Sequence, residues 1–169
     1  MDERAIMKSS RQGKSFTIVV ATDFSPTARH AFDTALRWAS KLGARVSIVH
    51  VIKGAWSETE VAPGTRTLQS LKTAAFLKLG RLARLALETG VRADAHLATG
   101  NPAERILAYC RTHRVDLLVV GTQGRGGISR TLLGSVADEL VRKVPCPVLT
   151  INPSVKGQHH GKRRRHPDD

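Results

Sequence analysis

The chain has 169 residues, enough for one domain with tails and a substantial core. Aromatics make up only 4%, so the core must be built from Val, Ile, Leu and Ala, which suits a parallel sheet flanked by helices better than an all-β sandwich. No apolar run reaches the ~18 residues of a membrane span, the polar Met1–Lys14 stretch has no signal-peptide centre, and a net charge of +13 attracts polyanions without choosing among them.

These limits predict a cytoplasmic protein with a loosely held arm at 1–14. The first buried strand is Phe16–Ala21, an unbroken apolar run after its opening Phe16-Thr17. It stops at Thr22-Asp23-Phe24-Ser25-Pro26, where Pro26 suits the first turn of a helix and Ser25 its N-cap. That helix shows Ala31, Phe32, Ala35, Leu36, Ala39 and Leu42 on one face and ends at Gly43. Arg45–Ile52 is the second strand.

A loop with Gly54, Pro63 and Gly64 leads to a long helical segment from about Leu68 to Thr89. Its apolar face is Leu68, Leu71, Ala75, Leu79, Leu82 and Ala86, with Gly80 as a weak point and Gly90 as a stop. Val91–Ala98 alternates and predicts a weaker, edge-type strand. Asn101 then caps a short helix that has Pro102 at its first position and runs to Thr112. A fourth strand covers Val115–Val120, and a fifth covers Pro147–Ile151. Asn152-Pro153 closes the domain, which leaves a tail at 153–169 with five cations against two aspartates. Five strands alternating with four helices predict an α/β fold, a doubly wound parallel sheet with right-handed crossovers.

Two cysteines are present. Cys110 continues the face Ala103, Ile106, Leu107 and is expected to be a small buried residue. Cys146 sits between Pro145 and Pro147; there is no CxxC and no metal-ligand spacing, and a cytoplasmic setting disfavours a structural disulfide.

The chemistry gathers between the fourth strand and the last helix. Leu117–Val120 runs into Gly121-Thr122-Gln123-Gly124-Arg125-Gly126-Gly127, and the apolar periodicity of Leu132, Leu133, Val136, Ala137, Leu140 and Val141 follows. Strand, glycine loop and helix start form an anion site in principle. Glycine lets backbone N–H groups approach a phosphate, and the helix N-terminus adds unpaired donors and a positive dipole end. The loop is not a Walker A, because Gly127 and Ile128 stand where Lys and Ser/Thr belong. It is not a dinucleotide fingerprint either, since Ser129 occupies the place of the last glycine.

The longer spacing is more specific: Gly121, two residues, Gly124, nine residues, then Gly134-Ser135. This pattern, with Gly124-Arg125-Gly126-Gly127 and Gly134-Ser135-Val136, resembles the nucleotide-binding signature of the ATP-binding universal stress proteins. The similarity covers roughly Ser15 to Asn152. It implies a flavodoxin-like sheet of order 3-2-1-4-5, reversing direction between strands 1 and 4. Ligands in such sheets bind in that crevice, beyond the carboxyl ends of the strands.

The resemblance carries over position by position. Thr22-Asp23 matches the segment that contacts adenosine, with Asp23 accepting from an adenine amino group or a ribose hydroxyl; the alternative is a carboxylate that holds a turn or caps the helix. Val51 matches a backbone position used for adenine, while its side chain reads equally well as core. Gly121, Thr122 and Gly124 fold over ribose and phosphate. Gly134, Ser135 and Val136 present N–H groups and a hydroxyl to the outer phosphates. Arg125, and with it Arg130, neutralises phosphate charge. Gln123 departs from the family, which commonly has His there, and this removes a proton carrier from the loop.

The resulting expectation is an ATP-binding regulator of the stress response, a homodimer through its last strand, working on an unidentified protein partner. Mg²⁺ accompanies the triphosphate, but no carboxylate pair is visible to hold it. A slow ATPase or phosphotransfer enzyme is the rival; the loop lacks the phosphate-binding lysine that such sites use. A third reading is a polyanion-binding module acting through Lys162–Arg165 in the tail.

Overall fold

In the computed structural model, which describes residues 15–54, 67–122 and 133–152, five parallel strands lie in one sheet. Chain order is β1 (Thr17–Ala21), α1 (Pro26–Leu42), β2 (Arg45–Lys53), α2 (Leu68–Glu88), β3 (Ala93–Gly100), α3 (Pro102–Thr112), β4 (Leu117–Gly121), α4 (Ser135–Lys143) and β5 (Val148–Ile151). The sheet order is β3-β2-β1-β4-β5, as the family resemblance implies. The arm at 1–14, the tail at 153–169 and the loop residues Gln123, Gly124, Arg125 and Arg130 lie outside the described residues.

Alternation along the strands divides the core into two layers. Ile18, Val20, Val46, Ile48 and Val119 face α1 and α2, where they meet Phe32, Ala35, Ala39, Leu79 and Ala86. Val19, Ala21, Val49, Val51, Leu118 and Val120 face α3 and α4, against Ile106, Cys110, Ala137 and Leu140. Both sides of the central strands are therefore dry, which is why those strands read as continuous apolar runs rather than alternating ones. Phe32 is the largest fully buried side chain among the described residues. Burying a side chain of that kind contributes about 1.5–3 kcal/mol.

The helix starts follow local chemistry. Ser25 Oγ accepts the Ala28 N–H, Thr67 Oγ1 accepts that of Ser70, and Asn101 Oδ1 accepts those of Ala103 and Glu104. Each satisfies donors that the first turn leaves unpaired. At its other end α1 stops on Gly43 in the left-handed conformation, φ 62°.

Three expectations need correction. Leu42 is 50% exposed, although it continues the apolar face of α1. A helix of 17 residues spans about 25 Å and overhangs a five-residue strand of about 17 Å. Val141 is likewise 46% exposed, because α4 begins only at Ser135 and turns Ala137 and Leu140 inward. The third strand starts at Ala93, not Val91: the Val91 N–H bonds Ala86 O, which ties it to the end of α2, and pairing with β2 opens at Val46–Ala93.

Candidate functional site

The register sets the geometry of the crevice. β1 is hydrogen-bonded to both β2 and β4, and Ala21 pairs with Val49 on one side and Val120 on the other. Thr22-Asp23 and Gly121-Thr122 therefore leave the sheet at the same level, at the point where strand order reverses. Two segments far apart in sequence come together there, as the sequence predicts for a doubly wound sheet.

Thr22 is buried and held three ways. Its N–H donates to Val49 O at 2.9 Å, its Oγ1 accepts the Phe24 N–H at 3.0 Å, and its carbonyl lies 2.6 Å from His50 Nδ1. Asp23 Oδ1 accepts the Ser25 N–H at 2.9 Å, so the carboxylate does hold the turn into α1. The same bond fixes the carboxylate at the strand end.

Gly121 has a packing reason to be glycine. A Cβ there would stand 2.8 Å from Thr27 Cγ2 and 3.3 Å from the Thr27 carbonyl carbon, so the first turn of α1 presses directly on the end of β4. Gly134 is similar: an added Cβ would lie 2.9 Å from Thr122 O. Its N–H donates to that same oxygen at 2.7 Å. This corrects one expectation, since the Gly134 N–H bridges the two arms of the loop and does not point outward. The Thr122 N–H and Oγ1 both bond Ile151 O, at 2.9 and 3.2 Å, which ties the loop base to β5.

Ser135 opens α4, with Gly134 as N-cap in an extended conformation. Glycine has no side chain with which to accept from the first-turn amides, so Gly134 makes no side-chain capping bond. The other three helices among the described residues all have capping side chains. The start of α4 therefore lacks a capping side chain from its own N-cap residue and lies at the positive end of the helix dipole. Val136 is half-buried against the α3/α4 layer of the core. Val51, 8% exposed, packs in the same layer, so its side chain is core and only its backbone is available for recognition.

Sequence reasoning missed the flank of this crevice. Phe24 adopts φ 62°, the only positive φ of a non-glycine residue among those described. Its ring sits 4.3 Å from that of His50, and the Lys78 ammonium lies 5.2 Å from its centroid. Nothing in the sequence signals a left-handed Phe, and backbone strain of this kind clusters at functional turns. Among the described residues, no group of three or more His, Cys, Asp or Glu is arranged to hold a metal. No described helix is long and apolar enough to cross a membrane.

Comparison with known proteins agrees with the geometry. Residues 15–152 match the universal stress protein family as a whole. A universal stress protein of Thermus aquaticus is 35% identical over 140 residues, covering 80% of this chain and 97% of that protein. One from Methanocaldococcus jannaschii is 32% identical over 136 residues, covering 79% and 80%. A universal stress protein solved in complex with cAMP superposes with a TM-score of 0.63 at 25% identity, over 82% of this chain and 98% of that one. The chain belongs to the universal stress protein family.

Proposed function

We propose that this protein binds an adenine nucleotide, ATP by preference, in the crevice between β1 and β4, and regulates a protein partner through that bound state. The observation that carries the reading is the start of α4. It is a helix N-terminus capped by glycine, joined through the Gly134–Thr122 bond to the end of β4. Such a terminus favours a phosphate. The nucleoside end is supported by Asp23, and by the Val51 backbone beside it. The family member in complex with cAMP supports the adenine assignment.

In this reading Thr22, Asp23 and Val51 hold the nucleoside, and Gly121, Thr122 and Gly124 cover the ribose. Arg125, Ser135 and Val136 hold the phosphates. Gly134 acts by letting the loop close on itself. Mg²⁺ travels with the triphosphate rather than being held by a carboxylate pair. The protein works by binding and by pairing with a second copy through β5, in the cytoplasm, with little or no turnover. The domain spans 15–152, with the arm at 1–14 and the basic tail at 153–169 as appendages.

Isothermal titration of the full chain with ATP, AMP and GTP, with and without Mg²⁺, tests the reading. The expected result is ATP binding at about micromolar Kd, with GTP much weaker. Absence of binding by any nucleotide to folded, nucleotide-free protein would sink the reading. Binding retained in full after Ser135→Asp would move the phosphates away from α4.

A further inference from the structure

The outer flank of α2 has no part in the site described above. The inner face of this helix is buried through Ala75, Leu79 and Ala86. Three large apolar side chains on the same helix nevertheless stand in solvent: Phe76 is 70% exposed, Leu77 62% and Leu87 59%. They are the three most exposed large apolar side chains among the described residues. Helical spacing gathers them. Gly80 follows Phe76 by four residues and Leu87 follows Gly80 by seven, so the three share one line along the axis, with Leu77 beside it. A Cβ at Gly80 would meet nothing within 4 Å, so packing does not require glycine there.

Lys78 fixes the direction of this line. Its ammonium lies over the ring of Phe24, just past the end of β1, so that flank of α2 faces β1. Phe76 and Leu87 stand two and nine residues from Lys78, about 200° and about 180° around the helix, and therefore point the opposite way. The helix packs on β2 and β3, and β3 is an edge strand of the sheet. The apolar line thus runs along the outer side of the molecule. Cations border it. The helix carries Lys72, Lys78, Arg81 and Arg84 against one carboxylate, Glu88, which Arg84 Nε holds at 3.0 Å. Lys72 lies on one side of the line, Arg81 and Arg84 on the other, and all three are exposed.

We propose that this flank of α2 is a docking surface for an anionic lipid bilayer. The helix lies parallel to the membrane plane, Phe76, Leu77 and Leu87 enter the boundary between headgroups and acyl chains, and Lys72, Arg81 and Arg84 reach the lipid phosphates. Charge complementarity chooses the occupant. A second copy of α2 would bring cation against cation. An anionic bilayer meets the apolar and the cationic groups at once, and the whole chain, at +13, is drawn to the same surface. An acidic protein partner would need a groove shaped to three separate knobs, whereas a bilayer deforms around them. The attachment is weak and reversible, and it needs both the apolar line and its cations. β2 and β3 separate this flank from the crevice between β1 and β4, so docking leaves the crevice uncovered.

The test sediments the full chain with vesicles of phosphatidylcholine alone and of phosphatidylcholine mixed with phosphatidylglycerol. The proposal expects binding to the mixed vesicles only, weakened by salt. Phe76→Ser combined with Leu87→Ser should weaken it at least about tenfold, and Arg81→Gln about fivefold. Both variants should keep their Tm, because the altered side chains are exposed. Gly80→Leu, which extends the apolar line, should strengthen binding about threefold. If the double serine variant folds poorly, Gly80→Leu still decides, since it adds apolar surface without removing a contact.

The basic tail is the rival source of attraction. Replacing Lys162, Arg163, Arg164 and Arg165 by serine should leave the dependence on Phe76, Leu87 and Gly80 intact. Vesicle binding that vanishes with those four replacements and ignores the apolar line would overturn the proposal. Absence of binding to either vesicle by folded protein would overturn it too, and would leave the flank to an acidic protein partner. So would an oligomer that forms without vesicles and is broken by the double serine variant, which would assign the flank to a second copy.

Discussion

The two ends of the sheet are built on different terms. At the amino end of β1, Thr17 and Asp116 exchange hydrogen bonds: the Thr17 N–H donates to Asp116 Oδ2 at 2.8 Å, and the Asp116 N–H donates to Thr17 O at 3.0 Å. Arg45 Nε adds a bond to Thr17 Oγ1 at 3.0 Å, and the Arg45 N–H bonds Phe16 O. Side chains distant in sequence close that edge. The carboxyl end instead holds a left-handed Phe24, two glycines in contact with neighbouring chain, and a helix start with no capping side chain. One end is satisfied from within the protein. The other carries a left-handed Phe24 and a helix start without a capping side chain from Gly134, which fits the proposed phosphate end of the site.

The largest effect that separates the ends is expected from Ser135→Asp. A carboxylate in the first turn of α4 is favourable toward the helix dipole, so folding stability should hold or rise slightly. The same charge would face the phosphates, and ATP affinity should fall about 100-fold, on the order of 2.7 kcal/mol. Titration together with a thermal melt checks both halves. A parallel loss of stability would mean that the variant acted through folding and would blur the contrast.

Asp116→Ala should do the reverse. It leaves the buried Thr17 N–H without its side-chain partner, which costs about 1–3 kcal/mol of stability. Nucleotide affinity should be unchanged within about twofold at a temperature where the protein stays folded. A denaturant melt and a titration on one sample read the two quantities.

Gly121→Ala should weaken both ends of the argument at once. Its Cβ meets Thr27 Cγ2 at 2.8 Å with α1 backbone close behind, so α1 must shift, at about 1–3 kcal/mol. Lower affinity accompanied by a lower Tm is the expected pair of results. A change in affinity with Tm unaltered would contradict the packing explanation for this glycine.

The smallest expected effect comes from Asn101→Ala. It removes an ordinary cap from α3 and should cost about 1 kcal/mol, with no change in nucleotide binding. A large loss of affinity there would extend the site beyond the crevice between β1 and β4.

Much of this was legible in the chain because short-range chemistry decides it. Pro26 after Ser25, and Pro102 after Asn101, fix two helix starts without help from the rest of the fold. The apolar runs of β1, β2 and β4 are long enough to specify buried parallel strands. The convergence of Thr22-Asp23 with Gly121-Thr122 follows from strand order, which the family resemblance supplied.

What stayed hidden depends on long-range fit. Leu42 and Val141 match the helical period, but only the length of the sheet and the start of α4 reveal that they overhang. The glycine spacing suggested donors, yet the Gly134 N–H closes onto Thr122, a partner twelve residues away. The left-handed Phe24 leaves no trace in periodicity or composition.

The contrast between the ends is tested most directly by amide chemical-shift mapping of the full chain during ATP addition. The account predicts that the amides of Thr22, Asp23, Gly121, Thr122, Ser135 and Val136 move together and saturate with one affinity, while Thr17, Arg45 and Asp116 stay still. Shifts confined to residues 153–169, or centred on Thr17 and Asp116, would contradict it.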